Sequence, residues 1–141
     1  MNIVDQINKE SLFEAEINRC FSHYRLMEQT YKNTFVLTLF DELFTGTNYK
    51  EGLRGSRHVC NLFSNFNTSL FCLTTHYTKL SKLEKFFPTK FINYKMEANV
   101  KKNKNNINIQ FPYIITRGVS QQFIAIDLLK QKGLWLESTH V

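Results

Sequence analysis

Thr34-Phe35-Val36-Leu37-Thr38-Leu39-Phe40-Asp41-Glu42 decides the fold. From Thr34 to Phe40 the stretch is apolar at nearly every position and rich in β-branched and aromatic residues. A strand buried on both faces reads this way, because helices cover both sides of a parallel sheet. The reading is therefore a central parallel strand covered on both faces. Two carboxylates end it, and a polar, turn-forming segment from Asp41 to Asn48 follows. In open α/β sheets, ligands bind outside the carboxyl ends of the strands. The chemistry is expected there.

Downstream, a helix is expected from about Tyr49 to Phe63, with Leu53, Val59, Cys60 and Phe63 buried. Asn65-Phe66-Asn67 turns the chain, and Thr68 to Thr74 forms a second apolar strand ending in Thr75-His76-Tyr77. Strand, helix, strand over such a span is a βαβ unit with a right-handed crossover. A short helix is expected over Thr78 to Phe86. Upstream, Ser11-Leu12-Phe13-Glu14 is a capping box, with Ser at the cap and Glu three residues on. Phe13, Ile17, Cys20, Tyr24 and Met27 then share one helical face, and Asn33 marks the exit.

The last third changes character. Phe91 to Glu97 and Ile107 to Ile115 read as two strands of a β-hairpin. The segment Val100 to Asn106, with Lys101, Lys102 and Lys104, reads as its polar loop. Gly118 breaks the pattern. Ser120 is placed as the cap of a final helix bearing Phe123, Ile124, Ile126, Leu128 and Leu129, which Gly133 ends at a C′ position. Trp135 needs a surface to cover it.

The chain has 141 residues, 43% hydrophobic and 21% charged, enough for one domain over residues 1–141. Its net charge of +6 and pI near 9.3 are compatible with nucleic acid or nucleotide phosphates, and equally with a merely basic protein. Cys20, Cys60 and Cys72 are odd in number and widely spaced, which argues against a disulfide framework or a zinc site. The polar, acidic N-terminal stretch and the short apolar runs lead to an expectation of an intracellular protein without membrane spans.

An apolar strand ending in Asp-Glu is the Walker B pattern. Asp41 would hold Mg²⁺, a hard cation that takes oxygen ligands. Glu42 would orient the attacking water or accept its proton. Alone, the dipeptide reads equally as two solvated residues opening a loop. His76, at the end of the neighbouring strand, would meet a γ-phosphate or else cap the strand edge. Gly46, Thr47 and Asn48 would lie beside the metal in a flexible turn. Ser11 stands at a helix N-terminus, which serves as a plain cap or as an anion site.

Together these residues resemble the ATPase domain of the MutS family of DNA mismatch repair proteins, a branch of the ABC ATPases. Ser11 to Glu16 is similar to the family's signature segment, and Leu37 to Glu42 to its Walker B strand. Gly46-Thr47-Asn48 with Glu51-Gly52-Leu53 resembles its D-loop and following helix. Thr75-His76-Tyr77 resembles its switch-histidine segment. Phe91 to Met96, Phe111-Pro112-Tyr113, Gly118-Val119-Ser120, Ile124-Ala125 and Gly133-Leu134 resemble its closing strands and helix. The likeness runs over nearly the whole chain in the right order.

The resemblance implies an α/β fold: a partial P-loop NTPase domain of ABC type, with a parallel βαβ core, a β-hairpin and a C-terminal helix. It implies ATP and Mg²⁺ as cofactors, with Glu42 and His76 catalytic in cis. Ser11 would act on ATP in trans across a homo- or heterodimer, and mismatched DNA would be held by other domains. The departures are specific. No G-x-x-x-x-G-K-[ST] phosphate cradle occurs, so the Walker A half is missing. Phe44-Thr45 replaces the family's Gly-Arg, Gln122 replaces a Gly, and Glu10 stands where the family has small or basic residues. The expectation is thus a fragment inactive alone, with at least one unpaired sheet edge. The alternative is a non-enzymatic dimerisation or interaction module on the same fold. A third reading is a basic DNA-binding protein using Lys90, Lys95, Lys101, Lys102 and Lys104.

Overall fold

In a computed structural model, residues 11–30, 34–103, 106–122 and 124–134 are described. Glu10, Asn33, Lys104, Phe123 and Trp135, which the sequence reading uses, lie outside them. The chain divides into two compact units between Lys90 and Phe91.

In the first unit, α1 (Leu12–Thr30) starts where the capping box places it. The Glu14 amide donates to Ser11 Oγ at 3.2 Å, which satisfies one of the amides that a helix start leaves open. Of its expected apolar face, Cys20 and Met27 are buried, and Phe13 and Tyr24 pack against the core. Ile17 instead remains exposed. The strands β1 (Val36–Asp41) and β2 (Ser69–Thr74) flank α2 (Tyr49–Phe63). They pair in parallel, with Val36 opposite Ser69 and Asp41 opposite Thr74. A 3-10 turn (Thr78–Ser81) and α3 (Lys82–Phe86) share the span expected to be one short helix.

The burial of β1 corrects one expectation. Val36, Thr38 and Phe40 turn toward α1 and α2, and Thr38 is only 3% exposed. Leu37 and Leu39 point the other way and are exposed, as are Phe35, Leu70 and Cys72. Among the described residues the sheet therefore has one covered face, not two. The sequence could not show this, since both faces of the strand are built from apolar residues. The core gathers Cys20, Met27, Leu43, Phe44, Val59 and Phe63. Phe63 is its hub, with Phe40 at 5.1 Å edge-to-face and the His23 ring stacked on it at 5.8 Å.

In the second unit the expected hairpin is broken into two ladders. The outer one pairs β4 (Asn99–Asn103) with β5 (Asn106–Gln110), and the inner one pairs β3 (Tyr94–Met96) with β6 (Ile115–Arg117), both antiparallel. Most of the segment read as a polar loop, Lys101 included, is thus strand. Strand character here comes from a paired neighbour rather than from composition. Residues 111–114 belong to neither ladder, and Tyr113 lies in the left-handed region at φ 57°. The helix α4 (Ile124–Gln131) begins later than Ser120. Ser120 Oγ accepts the Gln122 amide and closes a turn ahead of the helix instead of capping it. Gly133 sits at C′ with φ 70°. Its amide donates to Lys130 and that of Leu134 to Leu129, a Schellman ending.

Candidate functional site

The parallel register sets Asp41 level with Thr74 at the carboxyl ends of both strands. The Thr74 hydroxyl donates to Asp41 Oδ1 and accepts the Glu42 amide at 3.2 Å, while the Thr74 carbonyl accepts the same amide at 3.1 Å. One threonine therefore fixes both carboxylate residues. Glu42 takes φ 49°, uncommon for a residue with a side chain. Its Oε2 lies 3.7 Å from His76 Nδ1. Glu42 and His76 are each about half exposed, at 54%. The structure thus brings Asp41, Glu42 and His76 to one end of the sheet. Thr74 was missed in the sequence, although aligning the two strands end to end would have placed it beside Asp41.

The turn after β1 is tied down from three sides. Glu16 on α1 accepts the amides of Thr45 and Gly46, each at 3.3 Å. A Cβ at Gly46 would stand 2.8 Å from the Phe13 backbone nitrogen, so only glycine lets this turn lie against the start of α1. Ser56 Oγ, fully buried, donates to the Leu43 carbonyl at 3.0 Å. The Tyr77 hydroxyl donates to the Phe44 carbonyl at 2.7 Å. Burial is the main reason the Tyr77 phenol is pushed above its ordinary pKa. Asn48 caps α2: its Oδ1 accepts the Glu51 amide at 3.0 Å, and its Nδ2 and the Thr47 hydroxyl donate to the Glu51 carboxylate.

Gly46, Thr47 and Asn48 thus have local structural work, and Ser11 has its capping bond on the same side of the unit. Glu16 lies within the segment that carries the resemblance, but its part in holding this turn depends on residues about thirty positions away. His23 was missed altogether. It reaches Thr38 Oγ1 at 2.7 Å and lines a cleft of about 340 Å³ with Glu16, Arg19, Cys20 and the edge of β1.

Asp41 and Thr74 offer hard oxygen donors, with the second carboxylate oxygen of Asp41 left for a cation. That donor set fits Mg²⁺, which is held by one or two carboxylates and keeps its other positions for water and phosphate. Among the described residues, no group of three or more His, Cys, Asp or Glu side chains gathers as a metal cluster. ATP is a different matter. Its phosphates need a cradle of backbone amides and a lysine, and no such motif occurs in the sequence.

The family model for MutS domain V matches residues 3–136. The chain belongs to the MutS domain V family. The match takes in both compact units, so the parallel pair and the broken hairpin are parts of one MutS domain V chain. Membership associates it with DNA mismatch repair. The mixed helix and strand architecture is compatible with that family. No helix among the described residues is long and apolar enough to cross a membrane.

Proposed function

We propose that this MutS-family chain carries the hydrolytic side of an ABC-type ATPase site, without the phosphate cradle, and that it is inactive alone. The supporting observation is the convergence of Asp41, Glu42 and His76 at the carboxyl ends of a parallel pair, with Glu42 and His76 3.7 Å apart. In this reading Asp41 holds Mg²⁺, which would supply charge neutralisation at a bound phosphate. Glu42 orients water or takes its proton, and His76 faces the terminal phosphate. Gly46, Thr47 and Asn48 shape the loop beside the metal. Ser11 serves a neighbouring subunit's nucleotide in a homo- or heterodimer, and other domains hold the mismatched DNA. The cradle comes from residues outside 1–141.

The test is steady-state ATP hydrolysis, measured with and without a MutS-type chain that bears an intact cradle but a disabled Walker B carboxylate. The expected result is no turnover alone and turnover on mixing, lost with Glu42→Gln. Turnover by the pure chain that Glu42→Gln abolishes would overturn the proposal. So would an unchanged mixture with Glu42→Gln.

A second reading draws on the uncovered sheet face of Phe35, Leu37, Leu39, Leu70 and Cys72. Contiguous exposed apolar surface marks interaction sites, so the same fold would serve as a non-enzymatic interaction module. Mixed assemblies that form normally with Asp41→Asn/Glu42→Gln, and repair at wild-type rates, would favour it.

A further inference from the structure

The helix α2 has two opposed sides. Gly52, Ser56, Val59, Cys60 and Phe63 are buried against the core. Lys50, Arg54, Arg57 and His58 are all exposed. Counted from Lys50, these four stand at i, i+4, i+7 and i+8. At 3.6 residues per turn they fall within an arc of about 100° opposite the buried side. Like charges three and four residues apart repel one another, so the helix holds this stripe at a cost. The one acidic residue of the helix, Glu51, is engaged by Asn48 and Thr47. Ion pairs join Arg25 to Glu28, His76 to Glu42 and Lys95 to Glu97, and none of these touches the stripe.

Of the cations singled out in the sequence, Lys101 is exposed on β4 of the second unit, while Lys90 and Lys95 are engaged. Lys90 Nζ donates to Asn65 Oδ1 at 2.9 Å, and Lys95 pairs with Glu97 at 3.5 Å. Lys104 lies outside the described residues, as does the side chain of Lys102. Among the described residues, the α2 stripe is thus an aligned cationic surface without an ion-pair partner.

We infer that the outer face of α2 contacts the phosphate backbone of duplex nucleic acid. Arg54 and Arg57 present planar forks suited to phosphate oxygens, and Lys50 adds a point charge. From Lys50 to Arg57 the helix rises about 10 Å, a length over which a duplex carries several phosphates. A membrane surface fits less well. Interfacial helices sink an apolar face into the bilayer, and the apolar face of α2 is already in the core. A protein partner fits less well too, since the stripe holds no apolar residue to form a dry interface centre. Phosphate contacts carry no sequence information, so the surface has no sequence preference. This contact belongs to the chain itself and is separate from the Asp41, Glu42 and His76 cluster.

The experiment is fluorescence anisotropy of a labelled DNA duplex with the full chain, over a salt series from about 50 to about 200 mM. Three permanent cations predict a log–log slope between about −2 and −3. Reversal of the stripe, Lys50→Glu/Arg54→Glu/Arg57→Glu, is expected to weaken binding at least about tenfold at the lowest salt and to flatten the slope. The comparison variant Lys79→Glu/Lys82→Glu/Lys85→Glu alters net charge by the same amount at exposed sites elsewhere. It is expected to stay within about twofold of the parent. Circular dichroism and a milder Lys50→Gln/Arg54→Gln/Arg57→Gln variant guard against a folding defect. The inference is overturned if the parent shows no salt-dependent binding, or if the stripe variants bind like the parent. Equal loss in the comparison variant would overturn it too. So would phosphatidylserine vesicles that displace the duplex at equal charge concentration.

Discussion

The Tyr77 hydroxyl donates a 2.7 Å hydrogen bond to the carbonyl oxygen of Phe44, 33 residues earlier in the chain. Both residues are buried, Tyr77 at 2% and Phe44 at 5% exposure. Phe44 takes φ 63°, and its ring packs edge-to-face on Phe13 at 5.6 Å. This bond fastens the segment after Asp41-Glu42 to the segment that carries His76. It holds both sides of the candidate site in one geometry.

Removing that hydroxyl with Tyr77→Phe leaves a buried carbonyl without its donor. The expected loss is about 1–3 kcal/mol, read from urea unfolding. Gly52→Ala strikes the same place from α2. Its Cβ would overlap the Tyr77 hydroxyl and stand 2.5 Å from the Phe44 oxygen. The double variant should lose less than the sum of the two singles, because the first change removes part of the second clash. Strict additivity in the unfolding data would contradict the packing described.

Thr38→Val tests the contact from α1 to β1. Thr38 is buried, and its hydroxyl lies 2.7 Å from His23 Nε2. The substitution keeps the shape and strands the imidazole, at an expected cost of about 1–2 kcal/mol. His23→Phe/Thr38→Val should recover much of that loss, since both polar partners are then gone. A double variant no more stable than Thr38→Val would show that the pair contributes by packing alone.

Ser11→Ala should cost about 0.5–2 kcal/mol by removing the helix cap. Ser11→Asp restores a cap acceptor and should recover the stability. It also sets a negative charge where an incoming phosphate would approach in a dimer. Recovery of stability without recovery of activity in the mixed hydrolysis assay is the expected outcome. Recovery of both would remove Ser11 from the proposed nucleotide contact.

The thiols give a pH dependence. Burial, with a smaller contribution from nearby Cys20, pushes Cys60 from an ordinary 9.0 up to about 12. The folded state therefore favours the neutral thiol. Its contribution to stability is full below about pH 9 and is lost as pH rises toward 12. Stability measured from pH 8 upward should fall more steeply for the parent than for Cys60→Ala. Under native conditions a thiol reagent should label exposed Cys72 rapidly, and Cys20 and Cys60 only through unfolding. Rapid labelling of all three thiols would contradict the burial.

Much of the first unit was legible in the sequence. The bounds of α2, Tyr49 to Phe63, coincide with expectation, because Asn48 supplies a cap and the apolar residues keep helical spacing. The parallel pairing of β1 and β2 follows from the short helical crossover between them. The polar residues of β4 hid its strand character, since pairing with β5 settles it and no local preference reports that. At the site, Asp41, Glu42 and His76 were visible as strand-end residues. Their distances were not, and neither were Thr74, Glu16 and His23, whose roles depend on partners many residues away.

By itself, the sequence determined the order of the main elements of the first unit, the carboxylate end of β1, the capping of α1 at Ser11, and the absence of a phosphate-cradle motif within these 141 residues. These are local matters of spacing, propensity and motif. Only the tertiary structure decided which face of β1 is covered, because an all-apolar strand carries no period that marks an inside. It alone set Thr74 between Asp41 and Glu42, since that junction needs the register of two strands. It also set Lys50, Arg54 and Arg57 on an exposed helix face without an ion-pair partner among the described residues, which depends on where the acidic side chains come to rest.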